Sequence, residues 1–445
     1  MGKYFGTDGI RGIANTELTP EFTLRLGRIL GYLLKLKNEK PKVLIGRDPR
    51  ISGELLESAL IAGLTSSGVD VLTLGIITTP GVAYLTKSLA VEAGIMISAS
   101  HNPVQDNGIK IFSHCGHKLS DEEEVEIEKL LDVPDELPRP IAGAIGHIEN
   151  FQMGSQKYVN FLNGTIDQDL GSLKIVLDCA NGASSTLARQ LFVGLNADVI
   201  TISSNPDGIN INENCGSTHP ESLAIAVKEE GADLGFAFDG DCDRLIAVDE
   251  LGNILDGDYI MFIIGCYLKE KGLLKQNTIV STVMSNLGFY HALADQDLKS
   301  IKAKVGDRYV LEEMLKNDYN FGGEQSGHII FLDYLATGDG LLSALQLAKI
   351  IVEKGKSLAE LAKGMTKYPQ LLKNIQVDDK EAMMTNQAIL TKVQEIEAEM
   401  AGKGRVLVRP SGTEPLIRVM VEAETEDLCE QYVNQVLDVV KQELK

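Results

Sequence analysis

The stretch GIMISASHNPVQDNGIKIF, residues 94–112, carries the signals around which the rest of the chain is arranged. It opens with a short apolar run at 95–97, which predicts the end of a buried strand. Small polar residues follow, and Pro103 disfavours helix at the residue before it, so we expect an open loop. Turn residues at 106–108 then predict a return strand. This pattern puts the hydroxyl of Ser100 at the tip of a strand-to-loop turn.

An ordinary polar turn, in which Ser and Asn side chains hydrogen-bond the local backbone, is the competing interpretation of this loop. The rest of the chain has to decide between the two. Its 445 residues predict roughly three or four domains. Its net charge of −21 argues against nucleic acid or an anionic membrane as the main partner. An anionic ligand would need cations gathered locally, which makes arginines inside polar motifs informative.

Cysteine usage and the apolar runs predict a cytoplasmic protein. The six cysteines are widely spaced and form no C-x-x-C pair, which is typical of reduced thiols. The first twelve residues contain no apolar signal core. The longest apolar stretch, near 259–268, is too short to cross a bilayer and predicts a buried helix.

A strand–loop–helix–strand unit recurs along the chain, beginning near residues 42, 174 and 278. Such units build parallel or mixed sheets covered by helices, and ligands bind beyond the carboxyl ends of the strands. The region after about 370 has a different order of elements and predicts a small α+β domain. A proline-rich acidic connector at 132–140 and composition changes near 252–258 and 368–372 suggest the boundaries. The expected fold is therefore three similar α/β mixed-sheet domains and one C-terminal α+β domain, at residues 1–150, 151–254, 255–369 and 370–445.

The segment DGDCDR, residues 239–244, lies between two predicted strands and places three aspartates at alternate positions. Their carboxylates repel one another unless a cation sits among them, and oxygen ligands suit magnesium before calcium. A calcium loop of the EF-hand type is excluded, because Arg244 stands where that loop needs glycine. The remaining alternative is a solvated acidic turn.

Two further loops carry polar groups suited to a phosphorylated sugar. GGEQSGH at 322–328 packs a carboxylate, an amide, a hydroxyl and an imidazole between glycines, which suits sugar hydroxyls or an amine; a glycine-rich loop with a satisfied histidine is the alternative. RPSGTEP at 409–415, followed by Arg418, combines two arginines with a Ser-Gly-Thr turn. Such a turn forms an anion nest suited to phosphate, and surface arginines beside a turn are the alternative.

Taken together, these motifs resemble the α-D-phosphohexomutase superfamily. The matching segments run from one end of the chain to the other in the family's order: GTDGIRG (6–12), ISASHNP (97–103), NGIKIF (107–112), DGDCDR (239–244), GGEQSGH (322–328) and RPSGTEP (409–415). Gln325 resembles the branch that acts on glucosamine phosphates. The resemblance implies four domains around a central cleft, each contributing one loop.

The resemblance also implies a reaction. Ser100, carried as phosphoserine, would donate its phosphoryl group to O1 of glucosamine 6-phosphate and give a hexosamine 1,6-bisphosphate. The 6-phosphate of this intermediate would return to Ser100, and glucosamine 1-phosphate would leave as a precursor of UDP-N-acetylglucosamine. The same bisphosphate would act as an activator. A homodimer, and an activating kinase or autophosphorylation, are left open.

The resemblance assigns roles to particular residues of this sequence. One Mg²⁺ per subunit would be held by Ser100, Asp239, Asp241 and Asp243. Catalytic roles would fall to Ser100, His101, Lys110, Arg11, Arg244 and His328. The hexosamine phosphate would be bound by Glu324, Ser326, Arg409, Ser411, Gly412, Thr413 and Arg418.

Three other functions compete with this one. Phosphomannomutase or phosphoglucomutase activity is the alternative within the superfamily. A hydrolase using Ser100 and His101 lacks the G-x-S-x-G elbow and leaves the aspartates unexplained. A non-catalytic sugar-phosphate sensor would typically have lost Ser100 or an aspartate, and this sequence retains all four.

Overall fold

The computed structural model describes residues 2–6, 8–377, 379, 382–410 and 416–444. Two compact units make up the chain. The larger contains Met1–Met284 and Leu298–Lys363, and the smaller contains Ser285–Asp297 and Gly364–Lys445.

The larger unit contains three mixed sheets. The first has the order β1-β2-β6-β5-β3-β4-β7, the second β12-β11-β10-β8-β9, and the third β14-β13-β15-β16, with these bounds: β1 Phe5–Gly6, β2 Gly9–Ile13, β3 Lys42–Arg47, β4 Asp70–Ile76, β5 Ala93–Ile97, β6 Asp106–Ser113, β7 Ile148–Asn150, β8 Lys174–Asp178, β9 Asp198–Ile202, β10 Leu234–Phe238, β11 Leu245–Asp249, β12 Ile254–Leu255, β13 Thr278–Thr282, β14 Lys299–Ala303, β15 Phe321–Gly323 and β16 Ile329–Phe331. In each sheet a parallel core is extended by antiparallel strands, as at β5–β6, β10–β11 and β15–β16. The prediction of mixed α/β sheets is confirmed.

Helices connect and cover these strands. In the larger unit they are α1 Pro20–Lys37, α2 Ile51–Ser66, α3 Thr79–Ser88, α4 Asp121–Leu131, α5 Gly154–Asn163, α6 Ala188–Val193, α7 Glu221–Glu230, α8 Gly257–Glu270, α10 Asp307–Asn317, α11 Gly340–Lys354 and α12 Leu358–Ala362; α9 Leu287–Asp295 belongs to the smaller unit. Helix α1 starts where the sequence predicts, because Thr19 accepts a hydrogen bond from the Phe22 amide and Pro20 fills the first turn. The apolar run near 259–268 is the buried helix α8. Among the described residues, the helices lack the combined length and apolar character needed to cross a bilayer.

The helical pattern between 341 and 363 is divided into two helices. Helix α11 ends at Lys354 because Gly355 adopts a left-handed conformation with φ 58°, which closes the last turn. Ser357 and Glu360 then form a capping box that starts α12. Residues 341–363 therefore form two helices separated by a short turn.

The smaller unit contains an antiparallel sheet and helices. Strands β17 Gln370–Gln376, β18 Arg405–Pro410 and β19 Leu416–Glu422 pair in the order β17-β19-β18. Helices α13 Gln387–Met400 and α14 Glu426–Leu444 pack on this sheet around a core that includes Ile417, Val421 and Val436. The predicted C-terminal α+β domain is thus confirmed.

Helices α1 and α2 approach each other through glycines. A Cβ atom on Gly27 would lie 2.6 Å from the Leu60 carbonyl oxygen, and one on Gly63 would overlap the Leu24 carbonyl oxygen. The contact holds both helices against the first sheet, whose core includes Leu26 and Leu60. Correct packing of the sheet that carries Ser100 therefore depends on two small residues.

We expect Gly63→Ala to lower the free energy of unfolding by about 1–3 kcal/mol, because the added methyl group cannot fit without moving a helix backbone. The midpoint of urea unfolding measures this change. Gly143→Ala is the control, since a Cβ at Gly143 meets no atom within 4 Å. Equal midpoints for the two variants would contradict the close packing of α1 on α2.

Candidate active site

Ser100 lies in the loop that follows β5, at the carboxyl edge of the parallel part of the first sheet. Its side chain is buried, and its backbone has a left-handed φ of 53°. Its hydroxyl donates to Oδ2 of Asp239 at 2.5 Å, and Nδ1 of His101 lies 3.3 Å from the same Oγ. The strand, the open loop and the position of the hydroxyl at the loop tip agree with the sequence prediction, and the hydroxyl donates to the aspartate motif.

The three aspartates of DGDCDR converge at the corresponding edge of the second sheet. They occupy the turn between β10 and β11, and carboxylate oxygens of Asp239, Asp241 and Asp243 lie within 4.8 Å of one another. All three side chains are buried. The alternative of a solvated acidic turn is therefore wrong.

One lysine from the first sheet partly neutralises this cluster. Lys110, in the middle of β6, is 1% exposed, and its Nζ lies 2.8 Å from Asp241 Oδ2, 3.3 Å from Asp243 Oδ2 and 3.0 Å from Asp8 Oδ2. The hydroxyl of Thr79, at the start of α3, donates to Asp241 Oδ2 at 2.5 Å. Burial of a cation is costly unless it is paired, so Lys110 belongs to the charge balance of this site.

The electrostatics of the cluster are asymmetric. Burial, together with the charges of Asp243 and Asp241, raises the pKa of the Asp239 carboxyl well above its ordinary value. Burial alone would also raise the pKa of Asp243, but the Lys110 ammonium and His328 hold it well below its usual range. Carboxylates this close do not all stay ionised without more positive charge than one lysine provides.

The cluster fits a divalent cation. The buried Oδ1 atoms of Asp241 and Asp243 accept no hydrogen bond within the described part of the chain. Buried carboxylate oxygens without donors are unusual, and a hard metal ion is the natural partner for an all-oxygen set. The three aspartates can therefore hold a metal ion beside the Ser100 hydroxyl.

A pocket of about 430 Å³ opens beside these groups. It is lined by Tyr4, Gly6, Asp8, Gly9, Arg11, His101, Asp243, Arg244, Val305, Gly306, Asp307, Glu324 and His328. Arg11, on β2, pairs with Asp8, and the backbone amide of Arg244 donates to Asp239 Oδ1 at 3.1 Å. Burial and then the charges of Arg244 and Arg11 lower the pKa of His101 to about 4. His101 is therefore neutral near pH 7 and able to accept a proton.

The GGEQSGH segment borders the same pocket from the third sheet. Glu324 follows β15, and its Oε1 accepts from the Gly306 amide at 3.0 Å. Ser326 does not line the pocket; its hydroxyl lies 3.5 Å from Glu324 Oε2. The structure thus brings Glu324 and His328 to the pocket, whereas Ser326 only contacts Glu324 from outside the pocket lining.

His328 is buried between two carboxylates. Its Nδ1 lies 3.6 Å from Asp243 Oδ1 and its Nε2 3.5 Å from Asp307 Oδ2. Burial lowers the pKa of His328, but Asp243 and Asp307 outweigh it and raise the pKa to about 9. The Gly338 amide donates to Nε2 at 2.9 Å, and this hydrogen bond opposes a proton on Nε2. We therefore assign the ring proton to Nδ1, which faces Asp243.

The predicted phosphate anchor lies in the smaller unit. Arg409 and Arg418 are direct cross-strand neighbours on β18 and β19. Burial and the charge of Arg418 lower the pKa of Arg409. Like charges opposite each other destabilise a sheet, and an anion between them removes that penalty. Ser411, Gly412 and Thr413, which were predicted to complete the anchor, lie outside the described residues.

Four polar residues of the site were not predicted. Asp8 bridges Lys110 and Lys118, Lys118 also pairs with Asp307, and Thr79 holds Asp241. Asp8 lies inside the GTDGIRG motif and could have been singled out there. Thr79, Lys118 and Asp307 carry no local signal, because their partners are distant in sequence.

Four family models match the chain in sequence. All describe phosphoglucomutase/phosphomannomutase: alpha/beta/alpha domain I over residues 2–137, domain II over 156–252, domain III over 256–368, and the C-terminal domain over 372–439. The chain belongs to the phosphoglucomutase/phosphomannomutase family. The predicted superfamily and the four-domain architecture are confirmed, and with them the expectation of an isomerase of the phosphohexomutase class.

Relatives and solved structures of this family extend over the whole chain. Phosphoglucosamine mutase of Geobacillus thermodenitrificans is 63% identical over 445 residues, covering 100% of this chain and 99% of the relative. Phosphoglucosamine mutase of Bacillus subtilis is 59% identical with the same coverage. A phosphoglucomutase/phosphomannomutase family protein from Burkholderia thailandensis has the same fold, with a TM-score of 0.81 at 23% identity over 99% of this chain and 98% of that one.

Another solved structure is N-acetylphosphoglucosamine mutase of Aspergillus fumigatus in complex with GlcNAc-6P and magnesium. It has a TM-score of 0.70 at 18% identity and covers 99% of this chain and 96% of its own. At this identity the likeness concerns the fold alone.

We expect Asp241→Asn to weaken Mg²⁺ binding about 100-fold or more, since one of three charged ligands is lost and outer-sphere changes alone cost 10–100-fold. Isothermal titration with Mg²⁺, with unfolding followed in parallel, measures this. Asp198→Asn, which changes an exposed aspartate at the start of β9, is the matched control and should bind as wild type. Equal affinity of both variants would show that the cluster is not the metal site.

Proposed function

We propose that this chain is a phosphoglucosamine mutase, which interconverts glucosamine 6-phosphate and glucosamine 1-phosphate in the supply of UDP-N-acetylglucosamine. The observation that carries the proposal is the Ser100 hydroxyl, which is hydrogen-bonded to one of three clustered aspartates beside a 430 Å³ pocket that His101 and Asp243 line. A nucleophile beside a cation site is the arrangement that phosphoryl transfer needs. Relatives about 60% identical over the full chain bear the corresponding name.

In the proposed cycle, Ser100 carries a phosphoryl group. The bond between its Oγ and phosphorus breaks, and a bond forms from phosphorus to O1 of glucosamine 6-phosphate. The proton of the O1 hydroxyl passes to a base, for which neutral His101 is the candidate because its Nδ1 lies 3.3 Å from Oγ. In the second transfer the bond between O6 and phosphorus of the bisphosphate breaks, phosphorus bonds to Oγ of Ser100, and the base returns its proton to O6.

Fixed cations support this transfer. Lys110 lies inside the aspartate cluster, and Arg11 and Arg244 line the pocket. Together they stabilise negative charge on the phosphoryl oxygens, which is the main contribution proteins make to this reaction. Mg²⁺ held by Asp239, Asp241, Asp243 and an oxygen of phosphorylated Ser100 would supply further charge neutralisation there.

The remaining site residues bind the part of the substrate that does not react. Glu324 faces the pocket and suits sugar hydroxyls or the amine, with Ser326 supporting it through the 3.5 Å contact. Arg409 and Arg418, with Ser411, Gly412 and Thr413, would bind the second phosphate.

We also propose domain boundaries at residues 150, 254 and 369, and a cytoplasmic enzyme.

Phosphomannomutase or phosphoglucomutase activity is the second candidate, favoured by the name that the family models carry. Turnover of glucosamine, glucose and mannose 6-phosphates by one preparation decides between them. The highest kcat/KM with glucosamine 6-phosphate supports the proposal, and a preference for either other sugar rejects it.

Ser100→Ala should fold normally and lose mutase activity by a factor of at least about 10⁴, because the transferred group has no oxygen to reside on. A coupled assay of glucosamine 1-phosphate formation measures the loss, and intact mass should show no phosphoryl group. Ser58→Ala, which removes an exposed hydroxyl that donates to the Glu54 carbonyl, should retain full activity. Substantial turnover by Ser100→Ala would rule out this mechanism.

Arg418→Ala should raise KM more than it lowers kcat, because the group it binds is present in both ground and transition states. The fall in kcat should not vanish, since the remote phosphate also aligns the sugar. A weakened anchor also lets the bisphosphate escape, which leaves Ser100 without its phosphoryl group. Activity should therefore decline during turnover and return when glucose 1,6-bisphosphate is added.

Steady-state assays with and without the bisphosphate, together with intact mass before and after turnover, test this expectation. Lys373→Ala is the control, since it removes a half-buried cation of the same sheet that pairs with Glu430. A wild-type KM and an undiminished phosphoserine in Arg418→Ala would exclude a phosphate anchor on β19.

A further inference from the structure

The backbone of the Ser100 loop is held by an unusual number of buried donors. Ser100 has φ 53°, a left-handed conformation that is strained for a residue with a Cβ atom. The carbonyl oxygens of Ser100, Asn102 and Pro103 all accept hydrogen bonds from side chains far away in sequence. Something outside the loop therefore maintains the strained turn.

Arg50 is the first of these donors. Its side chain is fully buried, and its Nη2 donates to the Ser100 carbonyl oxygen at 3.0 Å and to the Asn102 carbonyl oxygen at 2.8 Å. Its Nη1 donates to the Pro103 carbonyl oxygen at 2.6 Å. One planar guanidinium thus fixes three carbonyls of a single turn, which a flexible ammonium cannot reproduce.

The carboxylate of Asp48 holds the Arg50 side chain in place. Nε of Arg50 lies 2.9 Å from Oδ2 of Asp48, and the same carboxylate oxygen accepts the Ser98 hydroxyl at 2.6 Å. Oγ of Ser98 in turn accepts a hydrogen bond from the backbone amide of Ser100 at 2.9 Å. A closed ring of hydrogen bonds therefore runs from Asp48 through both ends of the Ser100 residue.

Asn212 reaches the same carbonyls from the other side. Its Nδ2 donates to the Ser100 oxygen at 2.9 Å and to the Asn102 oxygen at 3.0 Å. Its backbone amide is anchored on the Ala180 oxygen at 2.9 Å, in the loop after β8 of the second sheet. Asn212 thus links the second sheet, which carries the aspartate cluster, to the Ser100 turn of the first sheet.

We propose that Arg50 and Asn212 are positioning residues for phosphoryl transfer, forming a carbonyl clamp on the turn that carries Ser100. The clamp holds the Ser100 hydroxyl at a constant distance from the aspartate cluster while the residue gains and loses its phosphoryl group. This inference rests on the proposed role of Ser100. Neither residue touches the reacting atoms, so both act through the loop backbone.

Geometry gives the clamp its expected effect on rate. A misplacement of about 1 Å at a reacting centre can cost 10²-fold, whereas substrate binding elsewhere is unaffected. Arg50→Lys keeps the positive charge beside Asp48 and removes the planar guanidinium that donates to the three carbonyls. Asn212→Gly removes the amide and tolerates the left-handed φ of 58° at that position. Each variant should therefore lower kcat about 10–100-fold with little change in KM.

The experiment is steady-state kinetics of phosphorylated enzyme, with single-turnover transfer from Ser100 to glucosamine 6-phosphate. Because both residues act on the same two carbonyls, the double variant should lose less than the product of the single losses. Arg28→Lys is the matched control. Arg28 is equally buried and bonds Asp135 and the Leu137 carbonyl, but not the Ser100 loop.

Arg28→Lys should lower the unfolding temperature while keeping kcat within about twofold of wild type. If Arg50→Lys does not fold, Asn212→Gly carries the test alone. A kcat within about twofold of wild type in the folded clamp variants overturns the clamp. Activity of Ser100→Ala would instead overturn the proposed function, so the two failures are distinguishable.

Discussion

Three carboxylates, on Asp239, Asp241 and Asp243, lie buried within 4.8 Å of one another, and their mutual repulsion has to be balanced by the rest of the larger unit. Lys110 provides part of that balance from the first sheet, and His328 lies beside Asp243 from the third. The cluster therefore brings polar and charged groups from all three sheets to one place. A buried charge that is left unpaired costs several kcal/mol, so this arrangement favours the sheets in the relation seen here.

The need to pair buried charges also explains how a chain of net charge −21 can bind an anionic substrate. The positive groups of the site are surrounded by their own acids: Arg11 by Asp8, and Lys118 by Asp8 and Asp307. Such pairing fixes the cations in direction and keeps them charged. A phosphate then meets preoriented donors on partly buried side chains, where electrostatic interactions are stronger than at the surface.

Much of this architecture was predictable, because its signals are local. The strand before Ser100, the aspartate turn between two strands and the glycine-rich segment around Glu324 are each encoded in a few consecutive residues. Their convergence did not follow from these local signals, because the three motifs end strands of three different sheets. It was expected only from the resemblance to the superfamily. The exact division of residues 341–363 at Gly355 was missed, since a helical pattern tolerates a single glycine.

The network behind the site was not predictable in the same way. Arg50 and Asn212 are each more than fifty positions from at least one partner. Arg50 lies in the polar loop after the predicted strand near residue 42, but its local sequence does not show that it contacts the Ser100 loop. Thr79 likewise becomes informative only when Asp241 is seen beside it. Side chains that act through tertiary contacts have no periodicity or spacing of their own, which is why the supporting residues emerged only from the structure.

The central claim is that each turnover delivers the phosphoryl group held by Ser100 and keeps the one that the substrate brought. A crossover experiment tests it most directly: ¹³C-labelled glucosamine 6-phosphate is mixed with unlabelled sugar whose phosphate carries ¹⁸O. The account predicts glucosamine 1-phosphate in which ¹³C and ¹⁸O occur together, because phosphate passes from one molecule to the next through Ser100. Product in which every sugar retains its original phosphate, formed at the full catalytic rate, would contradict the account.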